Sequence, residues 1–579
     1  MMYHLRIVLL ICILVRSHEA LAADLHSKVI TPAVSAFVES VLNSSTIPGI
    51  SMGVVRLDQS RQPIVEVAAW GRQTEESEGH DLAPDALFAL ASCSKAFLVT
   101  SIGLLMEDYV HGRNVTPLPP AVDSFDWDTK MQDLLPGEWA LEDEWASAKA
   151  NLRDAFGHVT GLPRHDFSYR PGDTAVDVVR RMRYLPPAYE LREQWSYNNQ
   201  MFMAGARIIE KYTSTPYGSF VTSRIIKPLN MTSTTYSPSK AAKTGRLTET
   251  WTRGVRRIPF WFSDEVDDLF AGPGGAISSA EDMSKWLATL LNGGVDPKTN
   301  DTIVPASTFT NMTAARAIES GVPAKDVSIV GYGMGWFRMS YKGHDVVWHS
   351  GAIPGFSLLV AFLPGDNLGS VILANMDEKQ NDTMSILYRV IEEALDLPQD
   401  VPRSDNDITQ TPMNQVDEVN NNEPLAEPLP CELGRYTGTY TNIAYGNITF
   451  CSPDSTSSYC ARVLQEFSPI EAASGKPLPN ARLYAAFRRV WSTHVRLRHM
   501  NGNSFGLVFP ALFPRGFGGD ETPFEYYDSV ESVGRVEFLT EGQEVLGFAL
   551  ITDEEAAAAR VARTNGSIQA IGDAWFTKV

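Results

Sequence analysis

Leu87-Phe88-Ala89-Leu90-Ala91-Ser92-Cys93-Ser94-Lys95-Ala96-Phe97-Leu98-Val99-Thr100 places a serine and a lysine three positions apart inside an apolar, Ala-rich run. If the run opens a helix, positions i and i+3 share a face, and the lysine amine reaches the serine oxygen. A serine hydroxyl is a poor nucleophile until a nearby base takes its proton. A lysine serves as that base when burial among neighbours such as Phe88, Phe97 and Leu98 lowers its pKa. The tetrapeptide alone is common, so its meaning depends on what the rest of the chain offers.

Two other fragments complete a serine site. Gln194-Trp195-Ser196-Tyr197-Asn198-Asn199 sets Tyr197 and Asn199 at the start of a helix expected over Asn199–Tyr212. A tyrosine can take or relay the serine proton, and an asparagine amide both donates to and accepts from a substrate amide. Val346-Val347-Trp348-His349-Ser350-Gly351-Ala352 reads as a strand. Its edge can pair with an extended substrate, so His349, Ser350, Gly351 and Ala352 join the candidate binding residues. The Ala352 N–H beside that of Ser92 would make an oxyanion hole. The glycine-rich loop Gly272–Gly275 can approach such a site closely.

Decoys show how little one fragment means. Ser237-Pro238-Ser239-Lys240 repeats the serine–lysine spacing, and Lys243-Thr244-Gly245 follows it in a polar context. Gly502-Asn503-Ser504-Phe505-Gly506 matches a nucleophile elbow, but Asn501-Gly502 reads as a hairpin turn and Pro510 and Pro514 block a following helix. No zinc motif is present, and His158 and His165 lack a clear third ligand, so neither metal nor cofactor is expected.

The whole chain bounds these possibilities. With 579 residues it exceeds one ordinary core, and a formal charge of −20 argues against binding nucleic acid or anionic membrane. Arg6, an apolar run from Ile7 to Val15 and Ala20-Leu21-Ala22 form a three-part secretory signal, expected to span residues 1–22 and to leave a secreted chain without a membrane anchor. Sequons at Asn43, Asn114, Asn230, Asn300, Asn311, Asn381, Asn447 and Asn565 suit a glycoprotein. Of the late cysteines Cys431, Cys451 and Cys460, a Cys451–Cys460 bridge is the favoured pairing. Cys93 reads as a small buried thiol.

Periodicity predicts a helix over Asp24–Leu42, a hairpin of Ile50–Val55 with Ile64–Trp70, and a nucleophile helix to about Met106. Further helices are expected over Asp173–Tyr184, Ala280–Asn292 and Asp382–Leu397. Tyr332–Phe337, Asp345–His349, Ser357–Phe362 and Ser370–Ala374 read as strands. Residues 399–430 form an acidic, Pro- and Asn-rich linker. Beyond it, short strands at Arg435–Tyr440, Asn447–Cys451, Arg482–Phe487, Val495–Met500, Phe505–Phe509 and Arg535–Leu539 indicate an all-β domain over 431–579, a barrel or sandwich.

Residues 24–398 resemble the serine β-lactamase and penicillin-binding protein family, in its class C-like, esterase-rich branch. Pro48-Gly49-Ile50-Ser51, Phe88–Lys95, His158-Val159-Thr160-Gly161-Leu162-Pro163, Tyr197-Asn198-Asn199, Pro228–Thr232 and Gly274-Gly275 stand in the family's order. The resemblance implies an α/β (α+β) fold, an antiparallel sheet flanked by helices with an all-helical subdomain. It implies Ser92 as acylated nucleophile, Lys95 and Tyr197 as proton handlers and Asn199 as a substrate contact. The C-terminal part resembles the lipocalin-like barrel of some members. His349 departs from the Lys-Thr-Gly of antibiotic-processing members, which weakens attraction for a substrate carboxylate.

The expectation is therefore a secreted serine hydrolase, carboxylesterase- or acyltransferase-like, acting on a small-molecule or peptide acyl substrate. A D-aminopeptidase or β-lactamase activity is the alternative within enzymes. A catalytically silent binding or scaffold protein is the alternative outside them.

Overall fold

The computed structural model describes residues 28–76, 81–263, 267–399, 427–474, 481–527, 534–564 and 566–579. The signal segment, most of the linker and the Asn565 sequon lie outside the described residues.

An antiparallel sheet of eight strands carries the first domain. In chain order the strands are β1 (Gly49–Leu57), β2 (Pro63–Gly71), β3 (Ala317–Ser320), β4 (Val330–Tyr332), β5 (Phe337–Tyr341), β6 (His344–Ile353), β7 (Phe356–Leu363) and β8 (Leu368–Ala374). In space they run β2-β1-β8-β7-β6-β5-β4-β3. Every residue of β1, β7 and β8 is buried, because helices cover both faces of the sheet centre. One cover is α1 (Pro32–Ser44) with the closing helix Gln380–Ala394; the other is the helix Ala280–Leu291.

Local chemistry sets the boundaries. Pro32 opens α1, and the Thr31 hydroxyl accepts from the Val34 N–H at 3.2 Å, so this helix starts eight residues later than periodicity placed it. Ser279 caps the helix Ala280–Leu291, its hydroxyl accepting from Asp282 N–H at 3.2 Å. The expected strand Tyr332–Phe337 divides into β4 and β5, because Gly335 turns the chain with φ +77°.

Helices between residues 131 and 226 form the helical subdomain around α2 (Lys95–Val110) and α3 (Asn199–Thr213). The serine does not lie in α2. Ala91–Ser94 is a single 3₁₀ turn, and α2 continues to Val110, past the expected end at Met106. Three residues per turn bring positions i and i+3 directly above one another, which preserves the expected serine–lysine approach.

The C-terminal domain is a second antiparallel eight-stranded sheet. Its strands are β9 (Gly438–Asn442), β10 (Gly446–Phe450), β11 (Arg482–Ala486), β12 (His494–Asn501), β13 (Ser504–Val508), β14 (Gly534–Glu541), β15 (Glu544–Ile551) and β16 (Ala574–Lys578). They are ordered β10-β9-β16-β15-β14-β13-β12-β11. Cys451, just past β10, exchanges two 2.8 Å backbone hydrogen bonds with Tyr484 of β11 and nearly closes the barrel. The Cys451–Cys460 disulfide stands at this seam. Strands β15 and β16 and the helices Ser458–Ser474 and Glu554–Thr564 were not expected from sequence. The Gly502–Gly506 decoy is the β12–β13 hairpin, with Gly502 at φ +52°.

Candidate active site

The Ala91–Ser94 turn is pinned by the Ala276 backbone. Leu90 N–H donates to Ala276 O at 2.6 Å, and the Ser94 hydroxyl accepts from Ala276 N–H at 3.1 Å. Ala91 adopts φ +44°, a left-handed conformation unusual for a residue with a Cβ. Strand β6 pairs with β5 only as far as Trp348, so beyond that point its other edge faces this turn. The Cys93 thiol donates to His349 O at 3.3 Å, and burial pushes that thiol up to about 12, which suits an inert packing role. A Cβ on Gly351 would sit 2.5 Å from Leu90 O, so only glycine lets strand and turn approach this closely.

Ser92, Lys95, Tyr197 and Asn199 meet in one place. The Tyr197 hydroxyl donates to Ser92 Oγ at 2.6 Å, and Lys95 Nζ lies 3.1 Å from the same oxygen. Lys95 is fully buried, and its amine also donates to Asn199 Oδ1 and Pro273 O, each at 2.9 Å. The faces of Tyr197 and Phe202 lie 4.7 and 5.1 Å from the amine. Asn199 therefore holds the lysine with its oxygen, while its nitrogen reaches Asp166 Oδ1 at 3.5 Å. Asn198 caps α3 by accepting from Gln200 N–H at 2.8 Å, which fixes the Tyr197-x-Asn199 spacing.

His349 behaves differently from the expected binding residue. Its ring is 2 % exposed and packs against Tyr332 and Phe337. Nδ1–H donates to Ser350 O at 2.6 Å, and Nε2 accepts from the Tyr332 hydroxyl at 3.2 Å. Burial, with Lys95 nearby, drives its pKa down to about 3, so the ring is neutral and turned into the core. His158 is also neutral, its pKa pulled well below the ordinary value by burial, and its ring backs that of Tyr197 at 4.5 Å. Of the rest of the strand, Ala352 is exposed and lines the pocket beside Ser92. Trp336 is a core residue packed on Phe362.

Besides the expected Asn199, the pocket over Ser92 holds residues that sequence did not single out: Arg164 beside Asn199 on a polar side, and Phe262, Phe270 and Trp491 on an aromatic one. Arg164 makes a 2.7 Å ion pair with the buried Asp166 and stacks 5.2 Å from the Tyr197 ring. It follows the recognised Gly161-Leu162-Pro163 run directly, a signal that was available. Trp491 belongs to the C-terminal barrel, and no local pattern could place it here.

The decoys are accounted for. Ser237 caps the helix Pro238–Lys243, its hydroxyl accepting from Lys240 N–H at 3.3 Å, and Lys243-Thr244-Gly245 ends that helix on the surface. Among the described residues, no three His, Cys, Asp or Glu side chains gather as metal ligands.

The beta-lactamase family model matches residues 34–394. The chain belongs to the beta-lactamase family of serine hydrolases. Within that family it is 28 % identical over 436 residues to unguisins hydrolase ungD' of Aspergillus campestris, covering 71 % of this chain and 76 % of the relative. It is 26 % identical over 377 residues to unguisins hydrolase ungD of Aspergillus violaceofuscus, covering 61 % and 62 %. The octameric penicillin-binding protein homologue from Pyrococcus abyssi superposes with a TM-score of 0.51 at 14 % identity, covering 89 % of this chain and 97 % of that one. The D-amino acid amidase from Ochrobactrum anthropi SV3 superposes at 0.50 with 20 % identity, covering 63 % and 99 %. At these identities the solved structures speak for the fold of the beta-lactamase family alone. The first of them spans most of both domains.

Proposed function

We propose that this protein is a secreted serine hydrolase that cleaves ester or amide acyl groups through a Ser92 acyl-enzyme. The observation that carries it is the pair of contacts on one oxygen: Tyr197 at 2.6 Å and Lys95 at 3.1 Å from Ser92 Oγ. In its neutral form the Lys95 amine, which is held by Asn199 and Pro273, would take the Ser92 proton. Ser92 Oγ then attacks the acyl carbonyl, and the oxyanion is stabilised by the N–H groups of Ser92 and Ala352. The proton passes through Lys95 and Tyr197 to the leaving amine or alcohol. Water repeats the path in reverse and releases the acid.

Amide cleavage is supported by relatives named as unguisins hydrolases. The neutral, inward-facing His349 supplies no cation for a substrate carboxylate, which argues against β-lactam turnover. Secretion is supported by the Arg6, Ile7–Val15 and Ala20-Leu21-Ala22 pattern, by the disulfide, and by sequon residues Asn43, Asn230, Asn300, Asn381 and Asn447 on the surface.

Turnover of p-nitrophenyl acetate and of alanine p-nitroanilide tests the reading. Lys95→Ala should fold and lose about 10³-fold or more in kcat on whichever of the two the wild type cleaves. Full activity in that variant, or no turnover of either by the wild type, would overturn it.

A further inference from the structure

The C-terminal barrel does not hang beside the catalytic domain; one of its turns forms part of the site. Between β11 and β12 the chain makes a tight loop, closed by Phe487 N–H to Thr493 O at 2.8 Å and Arg489 N–H to Ser492 O at 2.7 Å. The Arg489 guanidinium lies 3.8 Å from the Phe487 ring and donates to Tyr445 O. The catalytic domain grips the loop: Trp261 Nε1–H donates to Val490 O at 2.8 Å. At its tip Trp491 meets Phe270 edge-on at 5.2 Å and Phe262 at 5.9 Å. Elsewhere at the boundary Phe167 stacks on Phe509 of the barrel at 3.9 Å.

These contacts bear on what can reach Ser92. The partly open pocket over Ser92, walled by Arg164, Asn199, Phe262, Phe270, Ile353 and Trp491, is about 30 Å³, room for one or two waters. The three aromatic residues are each at most 9 % exposed and brace one another, so rotamer changes in one are resisted by the others.

We infer that Trp491 is a specificity-determining residue, a wall lent by the barrel that limits the acyl side chain next to the scissile carbonyl to about methyl size. The barrel is then part of the enzyme's selectivity, and the substrates are acetyl-like or alanyl-like acyl compounds whose leaving groups extend outward past Ala352. This rests on Ser92 being the acylated nucleophile.

Paired phosphonofluoridate probes separate the two ideas. In each, Ser92 Oγ bonds to phosphorus, fluoride leaves, and the serine proton goes to the Lys95/Tyr197 pair; the P–CH₃ or P–CH₂-phenyl group takes the place of the acyl side chain. Labelling rates are read by intact mass. Wild type should react at least tenfold faster with the methyl than with the benzyl probe. Trp491→Ala should raise the benzyl-to-methyl rate ratio tenfold or more. Phe262→Ala, on the catalytic-domain side of the same wall, should do the same in a variant that leaves the barrel loop intact, and thermal melting checks that both fold. A methyl-to-benzyl ratio left unchanged in both variants overturns the inference while leaving the nucleophile standing. No labelling of wild type by either probe overturns both.

Discussion

The Nδ1 atom of His165, in the catalytic domain, lies 2.9 Å from the hydroxyl of Tyr445, in the barrel. The other ring nitrogen donates to Pro186 O at 3.2 Å, so Nδ1 accepts from the tyrosine and the ring is neutral. The two domains are joined by a buried group that loses its acceptor on protonation.

Loss of that acceptor should weaken the domain contact as pH falls. Burial lowers the His165 pKa from 6.5 to about 4, and that of His349 to about 3. Between the folded and unfolded values the unfolded chain binds more protons, so stability is complete above about 6.5 and falls as pH drops. Each histidine contributes on the order of 3 kcal/mol by pH 4. Asp377 opposes them: burial raises it to about 6, so its contribution grows as pH falls. His158 and His494, also lowered by burial, act with these histidines, and Glu142, Glu210, Glu319, Asp553 and Glu554, raised by burial, act with Asp377, so the contribution of His165 is isolated by its own variant. His165→Gln should lose less of its urea midpoint between pH 7 and 4.5 than wild type does; an equal change in both would remove His165 from the account.

Asn199 is first a holder of Lys95, at 2.9 Å, and only then a residue facing substrate. Asn199→Leu should cut labelling of Ser92 by about a hundredfold and cost about 1–3 kcal/mol, because a buried amine loses its acceptor. Stopped labelling and thermal melting measure the two effects. A change in KM alone would return Asn199 to substrate binding.

Gly351→Ala adds a Cβ at 2.5 Å from Leu90 O, directly behind the nucleophile turn. The turn or the strand must shift, and a shift of that size at a reacting serine costs about 10²-fold in rate. The expected outcome is a folded protein with slow labelling of Ser92. Wild-type labelling rates would mean that the turn and β6 need not touch.

The Cys451–Cys460 bridge closes a loop of separation 9 at the seam of the barrel. Chain-entropy arguments give such a bridge about 2–3 kcal/mol. Replacing both cysteines by serine should lower the melting temperature, and dithiothreitol should do the same to wild type but not to the variant. Equal sensitivity to reductant would show that the bridge is not formed.

What the sequence made legible was local and ordered. Ser92/Lys95 and Tyr197/Asn199 announce themselves because each pair lies within four residues of chain at the start of a helix, and the strands β1, β7 and β8 read as apolar runs because both their faces are covered. The barrel was visible from its short strands. What escaped depends on distant chain. Trp491 reaches the pocket only because a barrel turn is held by Trp261 and Phe270. His349 was placed on the right strand, yet the side to which its ring turns is decided by Tyr332 and Phe337 on neighbouring strands. Strand β16 was missed because it is one short run, paired with β15 and, from more than a hundred residues away, with Tyr440 and Thr441 of β9.

The central claim is that Ser92 is the nucleophile, and its most direct test is intact-mass analysis after reaction with a fluorophosphonate, followed by peptide mapping. Wild type should gain one adduct, mapped to Ser92, and Ser92→Ala none, while Ser237→Ala should label as wild type does. An adduct that persists in Ser92→Ala, or a wild type that gains none, would contradict the account.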